Sequence, residues 1–154
     1  VNIIYTIPVI AMLGMLIPLV GIGRTNAILT LTLYALLPMV RGTLIGIKQV
    51  DANVYESALA MGSTQKQMLL RIELPLAMPI IFSGFRSMVV MTIALAGIAS
   101  MIGAGGLGRG VWRGITTNYN EMIFLSSFLI ATLAGFSDLI LGKFEKHLLA
   151  SARQ

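Results

Sequence analysis

The sequence has no cysteine, a single histidine and few charges: only 11% of its 154 residues are Asp, Glu, Lys or Arg. A soluble domain carries roughly 25%. Without cysteine there are no disulfides and no thiolate metal sites. His147 lies beside Lys143, Lys146 and Arg153 in an amphipathic tail, and reads as a solvated residue, not a ligand. Six scattered acids with one histidine form no nucleophile–base pair and no metal cluster, so the chain reads as a non-enzyme with no cofactor of its own. No G-x-x-x-x-G-K-[ST] stretch occurs, so ATP hydrolysis cannot come from this chain. The net charge is +5, but the basic residues are scattered between apolar runs, and nucleic acid is not an expected partner.

What the sequence does have is hydrocarbon. Hydrophobic residues make up 56% of it, and the mean hydropathy is +0.88. Uncharged or nearly uncharged runs cover residues 1–23, 25–40, 74–102 and 122–142. A membrane-crossing helix needs about 20 apolar residues. The runs are too long for the alternating segments of about ten residues that build an outer-membrane barrel. The expectation is an all-α membrane protein with four spanning helices, forming one membrane domain over residues 1–154. Proline and glycine interrupt the first run at Pro8, Gly14 and Pro18, and Pro38 marks the expected end of the second. Val1 opens inside an apolar run with no basic leader, so the sequence reads as an N-terminally truncated piece. Four crossings put both ends and residues 41–73 on one side. That side then holds Arg41, Lys48, Lys66, Arg71, Lys143, Lys146 and Arg153, against Arg24, Arg109 and Arg113 opposite. Basic loops stay in the cytoplasm, which places residues 41–73 and the C-terminus there.

The polar insert within residues 51–73 is the anomaly. Val54, Ala58, Met61, Met68 and Ile72 recur at helical spacing on one face. Asp51 or Asn53 can cap a first short helix, and Gly62 can end it. Thr64 with Gln67 spells a capping box for a second. Pro75 and Pro79 are expected to mark where that second helix turns into the membrane. The helix–turn–helix would present Tyr55, Glu56, Leu59, Ala60 and Gly62. Two readings stay open on these residues: an amphipathic helix resting on lipid, or a surface docked into a cleft of another protein. The small residues Ser57, Ala58, Ala60 and Gly62 favour the second.

The insert also carries a pattern. Glu56, Ala58 and Gly62 spell E-x-A-x-x-x-G, and Ile72, Leu74 and Pro75 follow as I-x-L-P. This resembles the EAA signature of permease subunits of bacterial ABC importers. Ser57 departs from it, standing where that family usually has alanine. The stretches TIPVIAMLGMLIPLVGIG, LYALLPMVRGTLIGIKQVD and MIGAGGLGRGVWRGI resemble permeases for glycine betaine, choline or carnitine, and the likeness covers nearly the whole chain. The resemblance implies a bacterial inner-membrane subunit whose insert is a coupling helix. Tyr55, Glu56, Ser57, Ala58, Leu59, Ala60, Gly62, Leu74 and Pro75 would then grip an ATPase subunit, which binds the ATP. It also implies a second permease chain, identical or homologous, and a solute-binding protein or domain. A methionine-type importer shares these features, and a passive channel or structural membrane protein is the rival of another class.

Gly103, Gly105 and Gly108 spell G-x-G-x-x-G, but between two membrane runs and not in a βαβ unit, so no dinucleotide site is read there. With Gly106 they are candidates for an outward-facing gate. Arg86 lies roughly 16 Å into the third run. It is either a pathway residue or a structural pair that reaches the interface. Trp112 and Tyr119 read as an aromatic belt. Tyr5, Tyr34, Phe82 and Phe85 could face a pathway, and the ten methionines read as adaptable packing.

Overall fold

The computed structural model describes residues 5–151, with side chains to residue 146, so His147's side chain and Arg153 fall outside the described residues. Every regular element among them is helical. We number them α1 (Val9–Val20), α2 (Arg24–Lys48), α3 (Ala52–Ala60), α4 (Gln65–Met68), α5 (Leu74–Ala99), α6 (Gly108–Thr116) and α7 (Asn120–Ser151). A π-helical turn, Leu69–Glu73, joins α4 to α5, and a 3-10 turn, Ser100–Ile102, follows α5. Among the described residues, three stretches are long and apolar enough to cross a membrane: Arg24–Lys48, Gln65–Ile102 and Asn120–Lys146. The helix over the first run, α1, has 12 residues. That is about 18 Å, short of the roughly 30 Å hydrocarbon layer, because Pro8 precedes it and the backbone turns at Gly21.

Two expected boundaries move. α2 does not end at Pro38 but continues through it to Lys48. A proline inside a helix leaves the carbonyl four residues back without its donor. Here that carbonyl belongs to Tyr34, and the Tyr5 hydroxyl donates to it. Likewise, Pro75 and Pro79 mark no turn: α4, the π turn and α5 run on as one helix. In the π turn the Leu74 N–H reaches back five residues to the Leu69 carbonyl. That wider ring takes up the misfit as the helix approaches Pro75.

The chain divides into two compact units, residues 1–37 with 88–139, and residues 38–87 with 140–154. The first is built on Leu13, Ala27 and Ala99, with Leu31, Ile102 and Ala104 packed against them. Asn26 is fully buried there, and its amide donates to the carbonyls of Leu13 and Gly21, both at 3.0 Å. Thr30 in turn donates to the Asn26 side-chain oxygen at 3.3 Å. Buried polar groups require such partners, and these bonds tie α1 and the turn after it to the start of α2. Tyr34 is buried and donates to the Ile7 carbonyl, which lies outside α1. The Tyr5 and Tyr34 rings meet with their centroids 5.2 Å apart.

In the second unit α2 and α5 touch through glycine. A Cβ added at Gly42 would stand 3.0 Å from the Gly84 Cα, and one at Gly84 would stand 2.9 Å from the Pro38 carbonyl oxygen. Gly46 sits as closely on Ala77. Small residues let membrane helices approach to backbone contact. α7 is different: Phe124, Leu125, Phe128, Phe136 and Leu139 are all more than 60% exposed. A long apolar face left uncovered in this way suits a lipid environment.

Candidate coupling helix and glycine loop

The polar insert folds as two capped pieces in the second unit. Asp51 is the N-cap of α3 and accepts from the Asn53 N–H at 2.8 Å. α3 ends in a Schellman arrangement. The Gly62 N–H donates to Leu59 at 2.9 Å, and the Ser63 N–H to Ala58 at 3.1 Å. This closure needs a left-handed residue at the first position past the cap, and Gly62 supplies it with φ +80°. Thr64 and Gln67 form a complete capping box: the Thr64 N–H donates to the Gln67 side chain, and the Gln67 N–H to the Thr64 hydroxyl. A short polar segment between long apolar helices thus has its backbone ends satisfied by its own residues.

The orientation of α3 sorts the candidates. Tyr55, Leu59 and Met61 are 40%, 53% and 79% exposed, and Glu56, Ser57, Ala60 and Gly62 are also exposed. Glu56 caps nothing, since Asp51 holds that place, and among the described residues it has no ion pair. The Ser57 hydroxyl folds back on the Asn53 carbonyl at 2.7 Å. Ala58 points inward, as buried as Met68, so its methyl is closed to a partner. Val54 and Met61 are exposed, and with Ala58 and Ile72 of the expected common face they line a shallow groove beside Asn53 and Ser57. Leu74 is half-buried and Pro75 exposed, both within the continuous helix.

Arg86 has a carboxylate partner. Its guanidinium donates to Glu145 on α7 at 2.7 Å, and Gly142 makes room: a Cβ there would sit 3.1 Å from the Arg86 Cζ. The pair explains how a cation tolerates the third run. Phe82 and Phe85 lie at 5.7 Å from each other.

In the first unit, Gly103, Gly105 and Gly106 have φ of +77°, +86° and +77°. Gly105 and Gly106 have open space where a Cβ would go, so conformation alone demands glycine there. Gly108 is buried against the Gly97 carbonyl and Ser100, with no volume for a side chain. α6 then closes with Asn118 in the left-handed region and the Tyr119 N–H bonded to Gly114 at 2.8 Å. Trp112 and Tyr119 are exposed.

Sequence reasoning missed Asn26, Glu145 and the Gly42–Gly84 contact. The last had a signal, since Gly42 and Gly46 are spaced G-x-x-x-G. Asn26 and Glu145 acquire meaning only from partners distant in sequence.

Residues 1–148 match the family described as binding-protein-dependent transport system inner membrane component. The chain belongs to this family. As an inner membrane component it has relatives with known cargo. It is 42% identical over 148 residues to the carnitine transport permease protein OpuCD of Listeria monocytogenes, covering 96% of this chain and 66% of that one. It is 40% identical over 148 residues to the glycine betaine/carnitine/choline transport system permease protein OpuCD of Bacillus subtilis, covering 96% and 65%. It is 39% identical over 145 residues to the ergothioneine transport permease/ergothioneine binding protein EgtU of Helicobacter pylori, covering 94% of this chain and 26% of that longer one. The chain thus spans about two thirds of the first two relatives and a quarter of the third. Its fold matches a solved chain of the MetNI methionine ABC transporter in an inward-facing conformation, with TM-score 0.86 and 23% identity over 96% of this chain and 71% of that one.

Proposed function

We propose that this inner membrane component forms half of the translocation pathway of an ATP-driven importer for quaternary-ammonium osmoprotectants such as glycine betaine, carnitine or choline. A second permease chain supplies the other half, a binding protein or domain delivers the solute, and ATPase subunits bind and hydrolyse ATP. The names of the relatives support the cargo. The observation that carries the mechanism is α3: a nine-residue helix, capped at both ends, whose Tyr55, Glu56, Leu59 and Ala60 stand free of the chain's own packing. In this reading the ATPase grips that face, residues 41–73 and the C-terminus are cytoplasmic, and ATP-driven closure of the ATPase pair drives rigid-body alternation of access. The first apolar run completes a fourth crossing as a broken helix, with its break at Ile7–Pro8 satisfied by the Tyr34 hydroxyl.

The test is Glu56→Lys, which reverses a charge that no intrachain bond uses. The variant should reach the membrane in normal amount but bring down less ATPase in pull-downs, or hydrolyse ATP without uptake. Normal ATPase capture with wild-type uptake would return α3 to the lipid-resting reading.

A further inference from the structure

In the first unit α6 is seated on its neighbours through glycine. Gly108 is buried against the Gly97 carbonyl and Ser100, and Gly110 and Gly114 press on Ser126 and Ile123 of α7. That seating fixes which residues turn outward. Arg109, Trp112, Arg113 and Thr116, at i, i+3, i+4 and i+7, form one exposed face. Beside it α5, α6 and α7 frame an apolar groove of about 460 Å³. The groove follows residues 94–101 and 127–134, about 10 Å on either side. Both stretches lie in segments long and apolar enough to cross a membrane. Ala94, Gly97, Ala131 and Ala134 hollow it out, and Ile98, Ile115 and Ile130 wall it. Ala94, Ser127 and Ala131 are exposed, so it opens on the flank of the helices. No charged residue lines it, and the Ser100 hydroxyl donates to the Gly97 carbonyl at 2.8 Å.

The cations belong to the same short helix. Arg109 follows Gly108 and Arg113 follows Trp112, and both of those residues line the groove. Each arginine therefore starts one Cα step, about 3.8 Å, from the groove's edge. Both are exposed, and neither side chain has an ion pair among the described residues; Glu121, the nearest acid in sequence, pairs with neither. We propose that the groove and the exposed face of α6 bind one anionic phospholipid, with an acyl chain along the groove and the phosphate on Arg109 and Arg113. The site requires only a membrane, and so goes beyond the import reading. Guanidinium groups match phosphate with paired donors, and basic pockets beside membrane helices suit anionic headgroups. Trp112 adjoins both arginines and lines the groove, where an interfacial ring belongs. The groove's length compares with the roughly 15 Å of hydrocarbon in one leaflet. A second copy packed about a two-fold axis would set these arginines against its own. An acidic soluble protein would satisfy the arginines and leave the groove between the spans unfilled.

Trp112 is the single tryptophan of the 154 residues, and it reports on the site. The full-length permease is placed in vesicles of phosphatidylcholine and phosphatidylglycerol, with bromine on the chains of one lipid or the other. The signal of Trp112 is the difference between this protein and Trp112→Phe. At equal mole fraction, brominated phosphatidylglycerol should quench it in preference to brominated phosphatidylcholine, with a relative affinity of about fivefold or more. Arg109→Gln with Arg113→Gln should bring that ratio close to one, and Arg109→Lys with Arg113→Lys should keep most of it. Ala131→Phe fills the groove while both arginines stay, and should also lower the ratio. A ratio unchanged by Ala131→Phe would mean attraction to a charged surface without a site, and would overturn the proposal. So would equal quenching by both lipids in the unaltered protein. Shielding of Trp112 from both lipids would give the face to another protein chain. Loss of binding-protein capture in the double Gln variant, with the lipid ratio unchanged, would give it to the binding protein.

Discussion

At the scale of single residues, backbone conformation is more discriminating than volume. Gly62 has open space around its missing Cβ, yet its φ of +80° is one that L side chains rarely adopt. A left-handed residue costs an L-amino acid about 1–2 kcal/mol. Gly62→Ala should therefore loosen the α3 closure by about that amount, seen as faster proteolysis between residues 59 and 64 with little change in the membrane helices. Proteolysis at the wild-type rate would mean that the turn tolerates a Cβ. Asn118 shows the same constraint met without glycine, at φ +53°. Gly42 and Gly84 are the reverse case, set by volume and not by φ.

At the scale of elements, the small-residue contact between α2 and α5 makes its own forecast. A Leu at position 84 must fit where a Cβ alone would stand 2.9 Å from the Pro38 carbonyl oxygen. Forcing bulk into a packed contact costs about 1–3 kcal/mol. Gly84→Leu should lower the melting temperature in detergent, and Gly84→Ala should do so by less. Equal melting of all three proteins would show that the contact is loose. The same element pair shows what a sequence can and cannot tell. The caps of α3 and α4 were legible because Asp51, Gly62, Thr64 and Gln67 satisfy backbone groups within a few residues of themselves. The continuation of α2 through Pro38 was not, because the compensating Tyr5 hydroxyl is 29 residues from the Tyr34 carbonyl it serves. Arg86 was visible as an oddity, but its partner Glu145 lies 59 residues on. The inward turn of Ala58 was hidden because a short helix of mixed small residues leaves its facing undecided.

At the scale of the whole molecule, charge and apolar length together set topology. The proposed four crossings put Ser63 and Thr117 on opposite sides of the membrane. With cysteine introduced singly at each, an impermeant reagent added outside intact cells should label position 117 and leave position 63 unlabelled until the cells are opened. Labelling of both from outside would exclude four crossings. The 154 residues suit this experiment because none of them is cysteine. The family match covers residues 1–148, whereas relatives of similar identity are named for different solutes.

The two tyrosine bonds beside Pro8 and Pro38 also bear on biosynthesis. Each joins segments that leave the ribosome 27 to 29 residues apart, an interval of about 1.5–6 s at bacterial to eukaryotic elongation rates. During that interval the backbone break at residues 7–8 is already made and Tyr34 has not yet emerged. Until the two segments meet, the Ile7 carbonyl lacks this donor, in a solvent where an unpaired carbonyl is costly. An early segment that entered the hydrocarbon before α2 would carry that unpaired carbonyl with it. Pairing of the two segments removes that cost, since Tyr34 supplies the donor that the Ile7 carbonyl needs.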